Sequence, residues 1–347
     1  MQRIFIAFMS LLVLAVGVAV YVLVSTGQFD TVEPAFTGHC VAVEGVPGVE
    51  DIVVHPSGNY AFMSSQDRQN GHRGNIFLYD LEKSNQEPIN LTNSLEGAFS
   101  PLGISFYRDP DGTEKLFVID RASKFPADDK RSKVRIFLWT DSLLVEQSFQ
   151  EIEGSPNNIL AVGTNQYYLT NDYRYGDSLF SDLQSVLALP ISTVSYFDGS
   201  TFREVASGLE FANGIAASEN GKTVFVAETL GRRISVFDRN PATGQLTLKE
   251  EVDLPTAPDN LTRDDQDRIW IAGHPQLLSY YGHQGDIGKL SPSHILQLTK
   301  GAANQTVASQ LMLDAGDLIS GATVAAPIGR RFLVGAAFEN KFLDCSL

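Results

Sequence analysis

Five oxygen-bearing residues stand at the heads of short apolar segments that recur along the chain: Glu50, Asn157, Asn213, Asp259 and Asn260. Two carboxylates and three carboxamides form a hard, all-oxygen donor set. Calcium takes about six to eight oxygen ligands in flexible geometry, so these side chains with one or two waters or substrate oxygens complete a calcium site. Zinc does not suit the pattern, because neither cysteine nor histidine falls at ligand spacing. Singly, an Asn or Asp before a strand is an ordinary turn cap. Five in one register point to a shared centre, where carboxylates facing a desolvated channel are costly unless a cation or a basic residue is present.

The segments that must position them share one plan. They begin at Glu50 (EDIVVHPSGNYAFMSS), Leu102 (LGISFYRDPDGTEKLFVID), Asn157 (NNILAVGTNQYYLTND), Asn213 (NGIAASENGKTVFVAE), Asp259 (DNLTRDDQDRIWIAG) and Ala322 (ATVAAPIGRRFLVGA). Each has a short apolar strand, a turn rich in Gly, Asn or Asp, and a second apolar or alternating strand. Further strands follow, such as NIFLYDL from Asn75 and RISVFDR from Arg233. A period near 50 residues with about four strands per repeat predicts an all-β fold, a six-bladed β-propeller. Its innermost strands line a central channel, so equivalent positions converge on one axis. Beyond the N-terminus no long amphipathic helix is visible, although Ser178–Leu187 reads as a short helical insertion in an elongated third repeat. The expected organisation is an N-terminal anchor over residues 1–25, a linker over 26–39, and one propeller over 40–347.

A formal net charge of −15 argues against nucleic acid as a partner, since phosphate binding needs clustered Lys and Arg. From Ile4 to Val24 the chain is uncharged and long enough to cross a bilayer core of about 30 Å as a helix. No clear cleavage site follows, so an uncleaved signal anchor is expected. Arg3 before it predicts a cytoplasmic N-terminus and an exported, extracytoplasmic remainder. Cys40 and Cys345 are the only cysteines and stand near the two ends of the propeller region. They read as a ring-closing disulfide in an oxidising compartment, or else as two unrelated buried thiols. Asn90-Leu91-Thr92 and Asn304-Gln305-Thr306 fit the glycosylation sequon. So does Asn260-Leu261-Thr262, where a glycan would conflict with metal binding. The charged stretch Lys124–Lys133 reads as a solvated loop.

The ordered segments GVEDIVVHPSG, LGISFYRDPDG, NNILAVG with YLTND, FANGIAASENGKTVFVAE, PDNLTRDDQDRIWIAGHP and GATVAAPIGRRFLVGAAF resemble the serum paraoxonase/arylesterase family across almost the whole exported chain. The hydrophobic N-terminus and the terminal cysteine pair extend the resemblance. It implies calcium-dependent hydrolysis of a carboxylic ester or lactone, with the catalytic ion held by Glu50, Asn157, Asn213, Asp259 and Asn260. It also implies a second, structural calcium beside Asp51, the backbone carbonyl of Ile104 and Asn158. The family usually has Asp where this chain has Asn158, so that site loses a negative charge.

The larger departure lies at the histidine pair credited with general-base activity in the family, which aligns with Leu102 and Arg121. Leucine does not titrate and arginine stays charged at neutral pH. What remains is a bound calcium acting as a Lewis acid, with Asp259 as nucleophile or general base. Arg121 either meets an anionic substrate group or pairs within the channel wall. His274 matches a family histidine near the channel mouth and reads either as a catalytic or as a turn residue. The competing reading is a calcium-stabilised propeller that binds a ligand or partner without turnover.

Overall fold

The computed structural model describes residues 2–83, 87–121, 132–140, 142–174, 179–301 and 305–347. The sequon residue Asn304 and most of the charged stretch Lys124–Lys133 lie outside the described residues. Six four-stranded antiparallel sheets form the blades of a propeller. Blades 1 to 5 occupy residues 49–90, 101–152, 155–209, 212–253 and 257–314, each running from channel to rim in chain order. Blade 6 takes its inner three strands from residues 322–346 and its outermost strand from His39–Glu44. The ring is therefore closed by the first strand of the chain completing the last blade. Cys40 and Cys345 are direct cross-strand partners there and are joined by a disulfide. The sequence points to a clasp between the first blade and the last; the bond instead ties two strands of one blade, because the chain's first strand belongs to blade 6.

Each sheet is covered on both faces by its neighbours, so every blade boundary carries its own apolar core. Ile52, Ala61 and Met63 of blade 1, for example, pack with Val324, Leu333 and Phe342 of blade 6. Ala216, Phe225 and Val236 of blade 4 pack with Leu261, Ile271 and Leu298 of blade 5. The innermost strand of every blade touches those of its two neighbours, and the sixth returns to the first.

Among the described residues three helices stand outside the blades. Helix α1 (Gln2–Ser25) contains one span, Phe8–Ser25, with mean hydropathy 2.5 and no part buried. By length and composition it can cross a membrane. Segment 26–38 is fastened to the propeller: Thr26 O accepts from the Leu277 amide at 3.0 Å, Asp30 pairs with Arg232 at 2.7 Å, and Ala35 bridges to Leu313. Helix α2 (Leu179–Leu187) is the insertion foreseen in the third repeat. Helix α3 (Leu277–Gly285) is not foreseen; it follows His274 directly and lies over the channel end described next.

Candidate metal centre and active site

All six innermost strands break register with their partners at the same place. The pairing slips between Val49 and Asp51, Pro101 and Ile104, Pro156 and Ile159, Ala212 and Ile215, Pro258 and Leu261, and Ala322 and Val324. In a regular strand successive side chains point to opposite faces. A bulge sets two residues against one and re-aims a side chain, so neighbouring residues such as Asp259 and Asn260 can both serve the channel. Hydroxyls facing two bulges satisfy the displaced amides: Ser64 Oγ accepts from Asp51 N at 3.1 Å, and Thr170 Oγ1 from Asn158 N at 2.9 Å.

Glu50, Asn157, Asn213, Asp259 and Asn260 are all buried at one end of the channel. Hydrogen bonds link four of them in two pairs. Asn213 Nδ2 donates to Asp259 Oδ1 at 2.7 Å, while Asp259 Oδ2 lies 2.9 Å from His274 Nε2. Asn260 Nδ2 donates to Glu50 Oε1 at 3.1 Å and to Glu50 O at 2.9 Å. Thr323 of blade 6 steadies the same backbone, its hydroxyl donating to Glu50 O at 2.9 Å. Three buried oxygens in this set, Glu50 Oε2, Asn157 Oδ1 and Asn213 Oδ1, have no hydrogen-bond partner among the described residues. Buried oxygens left unpaired are costly. Desolvation, reinforced by the nearby Asp51 and Asp259 carboxylates, pushes the Glu50 carboxyl up to about 8 in the metal-free chain. A hard divalent cation relieves both penalties, so these residues fit calcium. Among the described residues no group of three or more His, Cys, Asp or Glu gathers as a ligand set, which leaves amide-rich oxygen ligation as the chemistry on offer.

The neighbouring trio behaves differently. Asp51 Oδ1 accepts from Ile52 N at 2.9 Å, and Oδ2 accepts from Ile104 N at 2.9 Å and from Asn158 Nδ2 at 3.3 Å. Asn158 Oδ1 accepts from Ile159 N at 2.6 Å, which turns its Nδ2 toward Asp51 and toward Asn260 Oδ1, 2.5 Å away. An amide donor thus stands between the acceptors that a second ion would need, and Ile104 offers Asp51 its N–H. In this arrangement Asn158 presents its amide nitrogen, not its oxygen, to Asp51, whose carboxyl desolvation pushes up to about 7. Asp51 and Asn158 also line a cavity of about 590 Å³ that enters the channel from the opposite end, beside Pro56 and Arg263.

Arg121 forms a two-pronged ion pair with Asp172, at 2.6 and 3.1 Å, and also donates to Ser155 Oγ. Asp172 Oδ2 in turn accepts from Asn157 Nδ2 at 3.1 Å. Leu102 packs partly buried against the core between blades 2 and 3. His274 is buried under Tyr280 of α3, with the rings stacked 3.8 Å apart, and its Nδ1 has no partner among the described residues. Asn260 of the third sequon is fully buried.

Asp172, Tyr280 and Arg68 belong to this end of the channel and were not singled out in the sequence. Asp172 was within reach: it stands three residues after Leu169, as His274 stands three after Ile271 and Arg121 three after Val118, where Leu169, Ile271 and Val118 are the cross-strand partners of Ile159, Leu261 and Ile104. Arg68 and Tyr280 lie on connections without repeat register, and no sequence signal marks them.

Fold and donor set define a six-bladed propeller with an oxygen-rich site at one end of its channel. The chain matches the family model described as Arylesterase over residues 31–347. It is 30% identical over 335 residues to serum paraoxonase/arylesterase 1 of Homo sapiens, covering 91% of each chain, and 30% identical over 341 residues to serum paraoxonase/lactonase 3 of Oryctolagus cuniculus, covering 93% of each. Among solved structures it is similar to a gluconolactonase from Xanthomonas campestris (TM-score 0.56, 13% identity, 92% of this chain and 96% of that one). It is also similar to the calcium-binding protein regucalcin from Agrobacterium tumefaciens (TM-score 0.54, 13% identity, 89% and 93%). At such identities the structures speak for the fold alone. The chain belongs to the arylesterase family.

Proposed function

We propose that the protein is a calcium-dependent hydrolase of carboxylic esters or lactones, held to a membrane by α1 on the extracytoplasmic side. The observation that carries this reading is the trio of unpaired buried oxygens, Glu50 Oε2, Asn157 Oδ1 and Asn213 Oδ1, beside the Asp259–His274 pair. Family membership supports it, and the disulfide suits an oxidising compartment. When bound, the cation supplies Lewis-acid polarisation of the substrate carbonyl. Glu50, Asn157, Asn213, Asp259 and Asn260 would hold it.

The chain's own residues do the rest. Asp259 takes a proton from the attacking water, whose oxygen bonds to the acyl carbon; as the C–O bond to the leaving group breaks, Asp259 returns that proton to the departing oxygen, which leaves as the alcohol. His274 orients that carboxylate and shares its charge through Nε2. Arg121 acts one step removed: it fixes Asp172, which holds the Asn157 amide nitrogen and so turns Asn157 Oδ1 toward the cation. One ion is bound rather than two, because Asn158 supplies from within the protein the donor that Asp51 would otherwise find in a metal.

Two measurements test this. EDTA abolishes hydrolysis of phenyl acetate and of γ- and δ-lactones by the full-length protein, and calcium restores it. Calorimetric titration gives one calcium per chain, and Asn158→Asp raises this to two. Turnover indifferent to EDTA removes the hydrolase reading. Calcium binding without turnover favours the non-catalytic propeller, the reading that Leu102 and Arg121 at the histidine positions motivate.

A further inference from the structure

Arg68 follows the second strand of blade 1, and every acceptor it meets is a backbone carbonyl. Its Nη1 donates to Gly48 O at 3.0 Å, Ala337 O at 3.4 Å and Gln66 O at 3.5 Å, and its Nη2 reaches Pro101 O at 3.5 Å. These carbonyls come from blades 1 and 2 and from the segment after the second strand of blade 6, all at the end of the channel where Glu50 begins. The guanidinium is half-buried, and no carboxylate among the described residues pairs with it, although Glu50 and Asp259 lie within its field. Of its five N–H donors, the one on Nε has no acceptor among the described residues and those on Nη2 are weakly used. A cation withdrawn from water and left without an anion is costly. Here it is fixed in place by three blades.

Glu50, Asp51 and Asp259 carry the negative charge at this end, and none of them is hydrogen-bonded to Arg68. Arg121 and Asp172 cancel one another. Arg68 is then a cation with no carboxylate partner among the described residues, and its planar fork suits a carboxylate. We infer that Arg68 is the anion-recognition residue of this site and that its substrates are esters or lactones bearing a second, carboxylate group, which docks on the Arg68 guanidinium while the acyl carbonyl lies at the Glu50–Asp259 donor set. The inference rests on the hydrolase reading above and adds the substrate's charge.

The test compares kcat/KM for 4-acetoxybenzoate with that for its uncharged methyl ester, using full-length protein at saturating calcium. Wild type favours the acid. A charge-assisted hydrogen bond lost without replacement lowers the acid-to-ester ratio about ten- to hundredfold in Arg68→Met, and Arg68→Lys retains part of the preference because it keeps the charge without the fork. A role confined to bracing the blades changes both substrates together and leaves the ratio alone. If Arg68→Met does not reach the wild-type Tm, Arg68→Gln, which keeps a donor for the carbonyls, carries the same comparison. A ratio indifferent to residue 68, or a wild type that prefers the methyl ester, overturns the inference and leaves the hydrolase reading standing. Hydrolysis of neither compound by the wild type overturns both.

Discussion

Asp259 commits both carboxylate oxygens inside the protein, one to Asn213 Nδ2 and the other to His274 Nε2. A base so tightly held has its orientation fixed before substrate arrives, which is what proton transfer from a single water requires. Asp259→Asn keeps the size and most of the hydrogen bonding but removes the negative charge. The expected result is a fall in kcat of about 10²- to 10⁴-fold with a change in Tm of only a few degrees, measured by ester hydrolysis and thermal melting. Arg121→Met tests the indirect role: with Asp172 unpaired and Asn157 released, calcium affinity weakens, and activity recovers toward wild type when calcium is raised. Failure of high calcium to rescue that variant would place Arg121 on the substrate.

At the scale of elements, the six bulges decide which residues meet, and two glycines let them meet closely. A Cβ on Gly214 would come within 2.5 Å of Asp259 O and 2.7 Å of Asn260 Cα, and one on Gly103 within 2.5 Å of Asn158 Cα. Those contacts are backbone, which cannot swing aside. Gly214→Ala therefore forces the blade 5 strand off the blade 4 strand and weakens calcium binding by roughly tenfold or more, as overpacking costs about 1–3 kcal/mol; isothermal titration reads it. Blade 5 also carries an acid-sensitive group. His294 is buried, its Nε2 donating to Gln310 Oε1 3.0 Å away, and desolvation pushes its pKa down to about 4. The folded chain keeps this imidazole neutral, whereas the unfolded chain protonates it near the usual 6.5. Stability is thus complete above that value and is lost as pH falls toward about 4. Across that window the Tm of His294→Gln should decline less steeply than that of wild type, and parallel profiles would dismiss the assignment.

The whole molecule is a ring, and a ring fails at its seam. Here the seam is the pairing of His39–Glu44 with Lys341–Ser346, fastened by Cys40–Cys345 across 305 residues of sequence. In the chain-entropy account, closing so long a loop restrains the unfolded chain by about 5 kcal/mol. Replacing both cysteines by serine is expected to lower Tm on the order of 5–10 °C by scanning calorimetry, without altering the number of calcium ions bound. An unchanged Tm would mean that strand pairing alone secures the seam.

What the sequence determined by itself was periodicity. Six apolar hairpins at a spacing near 50 residues specify the blade count, and register within the repeat selects Glu50, Asn157, Asn213, Asp259 and Asn260, because equivalent positions in a propeller must approach one axis. Local pattern also reports α2, whose amphipathic run interrupts the third repeat. Tertiary structure alone decided the remainder, since those facts depend on contacts between residues far apart in the chain. Nothing local says that the first strand completes the last blade, that Asn158 donates to Asp51 and Asn260 from two other blades, or that Arg121 is spent on Asp172. The same holds for Arg68 and for α3 over His274: both lie on connections outside the repeat, where no period constrains the residues and only the closed ring brings them to the channel.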